Sequence, residues 1–353
     1  MIFIALCAQG LEGTACRELK ERVADAAILD QGRGAVLFSA AEAETPALLS
    51  LHSIDDLFAQ VVVVDDLDPR RSPLAALIKA IRAAPEIEPA MALRRRGRDS
   101  HVTFRVMSQV EGQQPYRRVD AQRAAEDALG HRFGWTLIAE GAPHLQFALW
   151  ITDRTARLGL RLTEPGFTRR RWKVGHIPAS LPPSVAYGLL CAAGPGAGET
   201  LLDPFCGAGT ILVERGLIAP PPGALLGADT SLTAREAAAA NAAEASVALQ
   251  LHDWDATALP LEAATVDCIV TNPPYGQRYG QPADLPPLYA GFLAEAARVL
   301  RPGGRCVVLT SERLLMERLL AMRPELARRK RFPIDLLGLS TYVHVLERVP
   351  ASA

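Results

Sequence analysis

The alternation of apolar and polar positions differs between the two halves of the chain. Near the N-terminus, IFIALCA alternates as a strand does, and GLEGTACRELKERV then shows the 3.6-residue spacing of a helix. Two short strands around a glycine turn, a helix and another strand are predicted next, in AAILDQGRGAVLFSA, AEAETPALLSLHSI and LFAQVVVVDDL. This β-α-β-β-α-β order is typical of a small split sheet of ferredoxin-like type, which we assign to residues 1–66.

A second small unit is predicted at residues 67–163. Helices are expected at SPLAALIKAIRAA and RVDAQRAAEDALGHRF, with a strand at HVTFRVMSQ between them. The strands LQFALWI and RTARLGLRL follow, joined by a turn at Asp153. This unit has too few strands to form an enzyme core of its own. Residues 164–180 then interrupt the periodicity and are predicted to be a linker.

The remaining residues, 181–353, alternate regularly between short apolar strands and amphipathic helices. Strands separated by helices at this spacing predict right-handed crossovers and a doubly wound α/β sheet that is mostly parallel. The last segment, RFPIDLLGLSTYVHVLERV, predicts two strands joined by a tight glycine turn, which can add an antiparallel edge.

The first turn of this α/β unit is rich in glycine. In LLDPFCGAGTILVE, a strand ends at Asp203 and a helix begins near Thr210, and the glycines between them let a ligand approach the main chain. No lysine follows these glycines, which excludes a phosphate-binding P-loop. Asp229, at the end of the next strand, suits a ribose hydroxyl or a helix N-cap. Asp253 and Asp255 follow, and either can accept a hydrogen bond from an adenine amino group.

The stretch TNPPYG, residues 271–276, ends another buried strand on two consecutive prolines. Two prolines remove two main-chain donors, so the strand cannot continue. In this topology the fourth strand lies beside the first, and ligands bind above their carboxyl ends. We therefore expect Asn272–Tyr275 and Asp203–Thr210 to meet across one crevice.

The two motifs together resemble those of the class I S-adenosylmethionine-dependent methyltransferases that act on planar exocyclic amines. The resemblance implies a Rossmann-like catalytic domain at residues 181–353 and S-adenosyl-L-methionine as cofactor. The catalytic set that it implies is Asn272, Pro273, Pro274 and Tyr275. The cofactor-binding set is Asp203, Pro204, Phe205, Cys206, Gly207, Gly209, Thr210, Asp229, Thr230, Asp255, Ala256 and Asn272.

The chemistry of a planar amine explains the residue types in TNPPYG. Its lone pair is delocalised into the neighbouring π system, so the amine is a poor nucleophile. The two N–H groups of the amine can donate hydrogen bonds to the side-chain carbonyl of Asn272 and the main-chain carbonyl of Pro273. These two bonds direct the lone pair of the amine at a methyl carbon. Tyr275 can stack on a flat base, and Cys206 is interpreted as a packing residue.

The first half of the chain indicates which kind of amine is the substrate. Its segments GLEGTACREL, HSIDDLFAQVV, FRVMSQVEGQQPYRRVDAQRAAEDAL and LQFALWITDRTARLGLRLTE resemble the THUMP-containing RNA methyltransferases. The resemblance implies that residues 67–163 are a THUMP RNA-binding domain. Members with NPPYG look like tRNA guanine-N2 methyltransferases of acceptor-stem position six. The alternatives are a ribosomal RNA guanine-N2 methyltransferase, a protein-glutamine methyltransferase, and a non-catalytic RNA-binding subunit with a vestigial cofactor site.

Local charge agrees with an RNA partner. The net charge is only −1, but residues 151–180 hold seven Arg or Lys against two Asp or Glu. A basic track with an interleaved aromatic, as in TRRRWK, suits phosphates, although a solvated linker has the same appearance. The predicted RNA-binding residues are Arg94, Arg95, Arg96, Arg117, Arg118, Arg169, Arg170, Arg171 and Lys173.

Composition narrows the class of protein further. The chain has 353 residues, 49% hydrophobic and 22% charged, as in a folded protein of two or three domains. No apolar stretch reaches the roughly 18 residues that a membrane helix needs. The start MIFIALCA lacks a preceding basic region, so we expect no signal peptide. Six scattered cysteines without metal-site spacing predict reduced thiols, no metal and a cytoplasmic enzyme, which we expect to act as a monomer.

Overall fold

The computed structural model describes residues 1–67, 73–94, 101–276, 282–336 and 338–349. The chain forms two compact units. The N-terminal unit comprises Met1–Leu6, Cys16–Gln31 and Ala35–Phe167, and the C-terminal unit comprises Cys7–Ala15, Gly32–Gly34 and Thr168–Ala353. No helix among the described residues is both long enough and apolar enough to cross a membrane.

Up to Phe167, the described residues form eight strands in one sheet of order β2-β3-β1-β4-β8-β7-β5-β6. The strands are β1 (Ile2–Leu6), β2 (Ala27–Gly32), β3 (Ala35–Ser39), β4 (Asp56–Val64), β5 (Thr103–Glu111), β6 (Thr136–Leu137), β7 (Leu145–Thr152) and β8 (Thr155–Arg161). The helices are α1 (Glu12–Arg22), α2 (Thr45–Leu48), α3 (Pro73–Ala83), α4 (Ile87–Ala92) and α5 (Arg118–Phe133).

The other strands and the long helices of this part follow the sequence pattern, but α4 and β6 have no predicted counterpart, and one predicted helix is shorter than expected. The helix predicted in AEAETPALLSLHSI is only the four residues of α2. Its continuation is prevented by Glu18, a buried residue of α1 whose carboxylate accepts the main-chain N–H groups of His52 and Ser53 at 2.9 and 2.8 Å. The segment therefore leaves the helix, because a carboxylate takes the donors that a longer helix would use.

The sheet is continuous from residues 1–66 to residues 67–163. Strand β4 pairs with β8 in antiparallel register, with Phe58 opposite Arg161 and Val64 opposite Ala156. The alternation of β7 buries Leu145, Phe147, Leu149 and Ile151, since successive side chains of a strand point to opposite faces. The division of this part into a ferredoxin-like and a THUMP domain stays a prediction.

After Phe167, the described residues form a seven-stranded sheet of order β11-β10-β9-β12-β13-β15-β14. The strands are β9 (Leu201–Asp203), β10 (Leu225–Ala228), β11 (Gln250–His252), β12 (Val266–Thr271), β13 (Leu300–Thr310), β14 (Leu326–Leu336) and β15 (Leu339–Arg348). The helices are α6 (Pro183–Ala193), α7 (Thr210–Leu217), α8 (Leu232–Glu244), α9 (Leu285–Val299) and α10 (Arg313–Ala321).

This topology confirms the doubly wound class I fold. Strand β12 is parallel to β9 and to β13, and the hairpin of β14 and β15 adds the antiparallel edge. Helix α10 has no counterpart among the predicted elements. The basic run ARRKR, residues 327–331, lies in strand β14.

Two apolar clusters cover the two faces of this sheet. One contains α6 residues such as Leu189, and the other contains α9 residues such as Phe292. Leu11, from the segment Cys7–Ala15, is 2% exposed and belongs to the first cluster. It packs so closely on α6 that a Cβ atom added at Gly188 would lie 2.6 Å from Leu11 Cδ1. The C-terminal unit therefore depends on a residue from the start of the chain.

Candidate active site

A cavity of about 570 Å³ lies at the carboxyl ends of β9, β10 and β12. The glycine-rich turn and the Asn-Pro-Pro-Tyr loop both line it, so the two motifs meet as the strand order predicts. The sequence-predicted residues on its wall are Asp203, Pro204, Phe205, Cys206, Gly207, Thr210, Asp229, Thr230, Asp255, Ala256, Asn272, Pro273, Pro274 and Tyr275. Gly209 is absent from the wall and caps the N-terminus of α7 in a left-handed conformation, with φ of 74°.

Asp203 links the two motifs. It is 1% exposed, and its Oδ1 accepts the hydroxyl of Thr271 at 2.6 Å and the N–H of Phe205 at 3.2 Å. Thr271 immediately precedes Asn272, so this bond joins the ends of β9 and β12. Burial raises the pKa of Asp203 to about 7, because removing water disfavours the charged carboxylate.

Asp229 holds the glycine-rich turn from the neighbouring strand. Its Oδ2 accepts the N–H of Gly207 at 3.0 Å, and its Oδ1 accepts the N–H of Ser231 at 2.9 Å. The N-cap of α8 is Ser231 itself, whose hydroxyl accepts from Ala234, so Asp229 is not the capping residue. The carboxylate lies on the cavity wall and keeps lone pairs for further donors.

The structure separates the two carboxylates that follow β11. Asp255 lines the cavity, where its Oδ1 accepts the N–H and the hydroxyl of Thr257 at 2.8 and 2.7 Å. Asp253 lies outside the wall with a side chain that is 67% exposed, and it pairs with Arg235 at 3.1 Å. Of the two, only Asp255 is therefore placed to contact a ligand in the cavity.

In the Asn-Pro-Pro-Tyr loop, the acceptor atom of Asn272 has a donor within the loop. The hydroxyl of Tyr275 donates to Asn272 Oδ1, which keeps the side-chain oxygen in place. A carbonyl oxygen has two lone pairs, so it can accept a second hydrogen bond from a ligand amine. Burial raises the pKa of Tyr275 well above its usual range, so the hydroxyl stays protonated and remains a donor.

S-adenosylmethionine fits the polar groups of this wall. Asp203, Asp229 and Asp255 offer carboxylate oxygens to an ammonium group, ribose hydroxyls and an adenine amine. Thr210 is 3% exposed, and its Oγ1 has no hydrogen-bond partner within the described part of the chain. Helix α7 begins at this residue, and the unpaired N–H groups of a first helical turn favour a carboxylate.

Three further features of the site were not predicted from the sequence. The segment 177–182, part of which was predicted as linker, forms one wall of the cavity, and Trp254 forms another part. Asn241 is fully buried on α8, where its Nδ2 donates to Ala208 O at 2.9 Å and thereby supports the glycine-rich turn. A tryptophan beside a candidate aspartate is the one hint that reading the sequence could have used.

The basic run near the start of the C-terminal unit is divided between surface and interior. Arg169 and Arg171 are exposed. Arg170 is 13% exposed and pairs at 3.7 Å with the buried Glu214. Lys173 is 7% exposed, its Nζ donates to Leu181 O at 2.5 Å, and burial lowers its pKa to about 8. An RNA phosphate cannot reach Lys173 without unfolding this contact.

The basic residues predicted in the N-terminal unit also differ in exposure. The side chain of Arg94 is 3% exposed and donates to Arg161 O at 2.9 Å, so it is buried and not available to an RNA phosphate. The side chain of Arg117 is 77% exposed, and Arg118 is exposed on the same helix end. Arg95 and Arg96 lie outside the described residues.

Comparison with known proteins identifies relatives of this chain. Residues 170–340 match the model of the RMKL-like methyltransferase domain family. The chain is 33% identical to a tRNA (guanine(6)-N2)-methyltransferase of Thermus thermophilus over 79% of this chain and 80% of that one. It is 30% identical to a mouse U6 snRNA (guanine-N(2))-methyltransferase over 60% of this chain and 39% of that one. The crystal structure of TrmN from Thermus thermophilus superposes with a TM-score of 0.83 at 28% identity, covering 99% of both chains.

Proposed function

The chain belongs to the THUMP-containing family of tRNA (guanine-N2)-methyltransferases, and from this premise we propose that it methylates guanine 6 in the tRNA acceptor stem. The product is N2-methylguanosine, and S-adenosylmethionine is the methyl donor. The observation that carries the proposal is the single cavity lined by Asp203, Asp229 and the loop Asn272–Tyr275. A methyl donor and a flat amine can meet there.

The residues of the loop would prepare the amine for attack. The bound cofactor supplies an electrophilic methyl group. Asn272 Oδ1 and the Pro273 carbonyl accept hydrogen bonds from the two N–H groups of guanine N2. These bonds turn the lone pair of N2 toward that methyl group. Tyr275 stacks on the base and holds the orientation of the Asn272 amide through its hydroxyl. Transfer of the methyl group would release S-adenosylhomocysteine, and the methylated amine is acidic enough to lose its proton to water without a strong base.

The cofactor would be held by the opposite wall. Asp229 accepts the ribose hydroxyls, since its carboxylate already lies at the end of β10 between Gly207 and Ser231. Asp255 accepts from the adenine amino group. The first turn of α7, which begins at Thr210, binds the carboxylate of the methionine part.

The N-terminal unit would supply affinity for RNA. We assign residues 1–66 to a ferredoxin-like domain, 67–163 to the THUMP domain and 164–180 to the linker before the catalytic domain. The exposed Arg117, Arg118, Arg169 and Arg171 are the proposed phosphate contacts. The target guanine lies in a stem, so it must be flipped out of the helix to enter the cavity.

We also propose that the enzyme works as a monomer in the cytoplasm. The six cysteines are free thiols, and five of them are buried, which suits a reducing compartment. In the described part of the chain, no group of three or more His, Cys, Asp or Glu side chains could hold a metal ion.

The test is methylation of transcribed tRNA by the purified chain, with the modified nucleotide located by mass spectrometry of nuclease fragments. We expect N2-methylguanosine at position six. Asn272→Ala should lower the single-turnover rate ~100-fold or more and leave the affinities for RNA and cofactor nearly intact, as for a lost acceptor in the transition state. A tRNA with adenine at position six is the matched control and should remain unmodified.

The outcomes separate the alternatives. Methylation of U6 or ribosomal RNA in place of tRNA would contradict the proposed substrate. A full rate in Asn272→Ala would contradict the proposed role of the loop. Binding of tRNA without any methyl transfer would support the non-catalytic subunit.

A further inference from the structure

The geometry points to Tyr289 as a positioning residue for the Asn-Pro-Pro-Tyr loop, an inference that rests on the proposed function of that loop. Tyr289 lies on α9 and is fully buried. Its hydroxyl donates to the carbonyl of Pro274 at 3.1 Å and lies 2.8 Å from Thr310 Oγ1 at the end of β13. It therefore ties the loop after β12 to the next strand of the sheet.

The number of protons fixes the direction of these bonds. A tyrosine hydroxyl has one proton, and the Pro274 carbonyl can only accept it. Thr310 must then donate its own proton to Tyr289. Thr310 Oγ1 in turn accepts the main-chain N–H of Glu312 at 3.0 Å. A directed chain thus runs from Glu312 through Thr310 and Tyr289 to the loop, and every hydroxyl in it both donates and accepts.

The bond acts on the peptide between Pro274 and Tyr275. A carbonyl held by a buried donor fixes the plane of its peptide, and this peptide carries the residue that stacks on the base. It also engages one of the two proline carbonyls of the loop, which leaves the Pro273 carbonyl as the acceptor for guanine N2. Neither proline has an N–H group, so the loop cannot be held by main-chain donors of its own at these positions.

The hydroxyl can be removed without disturbing the packing. The ring of Tyr289 belongs to the apolar cluster with Phe292 and Leu293, and phenylalanine would keep that ring. Burial raises the pKa of Tyr289 far above its usual range, so the hydroxyl is a permanent donor at physiological pH. A substitution by phenylalanine therefore removes the hydrogen bond to Pro274 and the hydrogen bond from Thr310, and it removes no charge.

The experiment compares Tyr289→Phe with the wild-type enzyme in single-turnover transfer of labelled methyl groups to total tRNA. We expect the rate constant to fall on the order of 10- to 100-fold, because a small displacement of reacting groups costs that much. KM for tRNA and the affinity for S-adenosylhomocysteine should stay within about twofold, since the residue touches neither ligand. Labelled methyl groups report transfer to any nucleotide, so an error in the proposed target position leaves the comparison intact.

Three further variants complete the test. Thr310→Val removes the donor to Tyr289 and should lower the rate constant less than Tyr289→Phe does. Thr310→Ser keeps the hydroxyl and should restore the wild-type rate. Tyr342→Phe, on the neighbouring strand β15, removes a tyrosine hydroxyl outside this chain of bonds and is the control. An unchanged rate in Tyr289→Phe, or a loss that only follows a lower melting temperature and weaker S-adenosylhomocysteine binding, would overturn the inference.

Discussion

Asp229 offers a direct test of where the cofactor binds. Replacing it with alanine removes the acceptor for the N–H groups of Gly207 and Ser231, which lie 3.0 and 2.9 Å away. It also removes the proposed partner of the ribose hydroxyls. The substitution therefore loosens the glycine-rich turn and deletes a ligand contact at the same time.

The expected loss follows from these bonds. A buried polar group left without its partner costs ~1–3 kcal/mol, which corresponds to a ~5- to 150-fold weaker affinity. Asp229→Asn keeps one side-chain oxygen and replaces the other by an amide nitrogen, which cannot accept from the main chain. We expect asparagine to lose less affinity than alanine, because one of the two main-chain bonds can survive.

Isothermal calorimetry with S-adenosylhomocysteine measures the effect without any RNA. Asp253→Asn is the matched control, since Asp253 ends the next strand of the sheet but is 67% exposed and outside the cavity wall. Its affinity should equal that of the wild type. Unchanged affinity in Asp229→Ala would refute the assignment of the ribose to this strand end, and an equal loss in Asp253→Asn would refute the distinction between the two carboxylates.

Three other perturbations test the exposed arginines, the buried aspartate and the packing of the C-terminal unit. Arg169→Ala with Arg171→Ala should flatten the slope of log K against log [salt] for tRNA binding by up to ~2, measured by filter binding. Burial raises the folded-state pKa of Asp203 to about 7, above its unfolded value. Between about pH 4 and 7 the folded state therefore holds a proton that the unfolded state has lost, and the free energy of unfolding falls as the pH rises through this window. In urea titrations, the free energy of unfolding of Asp203→Asn should fall less over the same window. The fragment 168–353 should still bind S-adenosylhomocysteine, but it should melt at a lower temperature than the full chain. The loss of Leu11 leaves a cavity beside α6, which should lower the free energy of unfolding by ~2–5 kcal/mol. Equal melting temperatures would contradict this.

The doubly wound class and the position of the fourth strand beside the first could be predicted because local and global signals agree in the C-terminal unit. Short apolar runs alternate with amphipathic helices, and the glycine turn at Asp203–Thr210 marks the first crossover. Parallel pairing then places Thr271 beside Asp203, which brings residues far apart in the chain to one edge of the sheet. Helix α10 was not predicted because only a short segment separates the strands on either side of it, and the apolar pattern of that segment marks neither end of a helix.

The residues of the cavity wall could be predicted from the sequence where they follow the end of a strand, and residues that depend on distant packing could not. The carboxylates and the Asn-Pro-Pro-Tyr loop follow strand ends, which periodicity locates. Asn241 and Tyr289 lie in the middle of helices, where an isolated polar residue is indistinguishable from many others. Their roles come from what the fold places opposite them, namely the main chain of Ala208 and of Pro274.

Charge is the property that the sequence overstates most. The run TRRRWK contains four cations within five residues. Trp172 packs on Val213 and Ala242, and its neighbour Lys173 is buried with it. Arg170 is occupied by Glu214. We therefore expect tRNA binding by this nearly neutral chain to depend on the arrangement of a few exposed arginines, each of which would contribute about one counterion to the salt dependence. The number of phosphate contacts should therefore equal the number of exposed arginines and lysines at the RNA-binding surface. The number of basic residues in a sequence run gives only an upper limit for it.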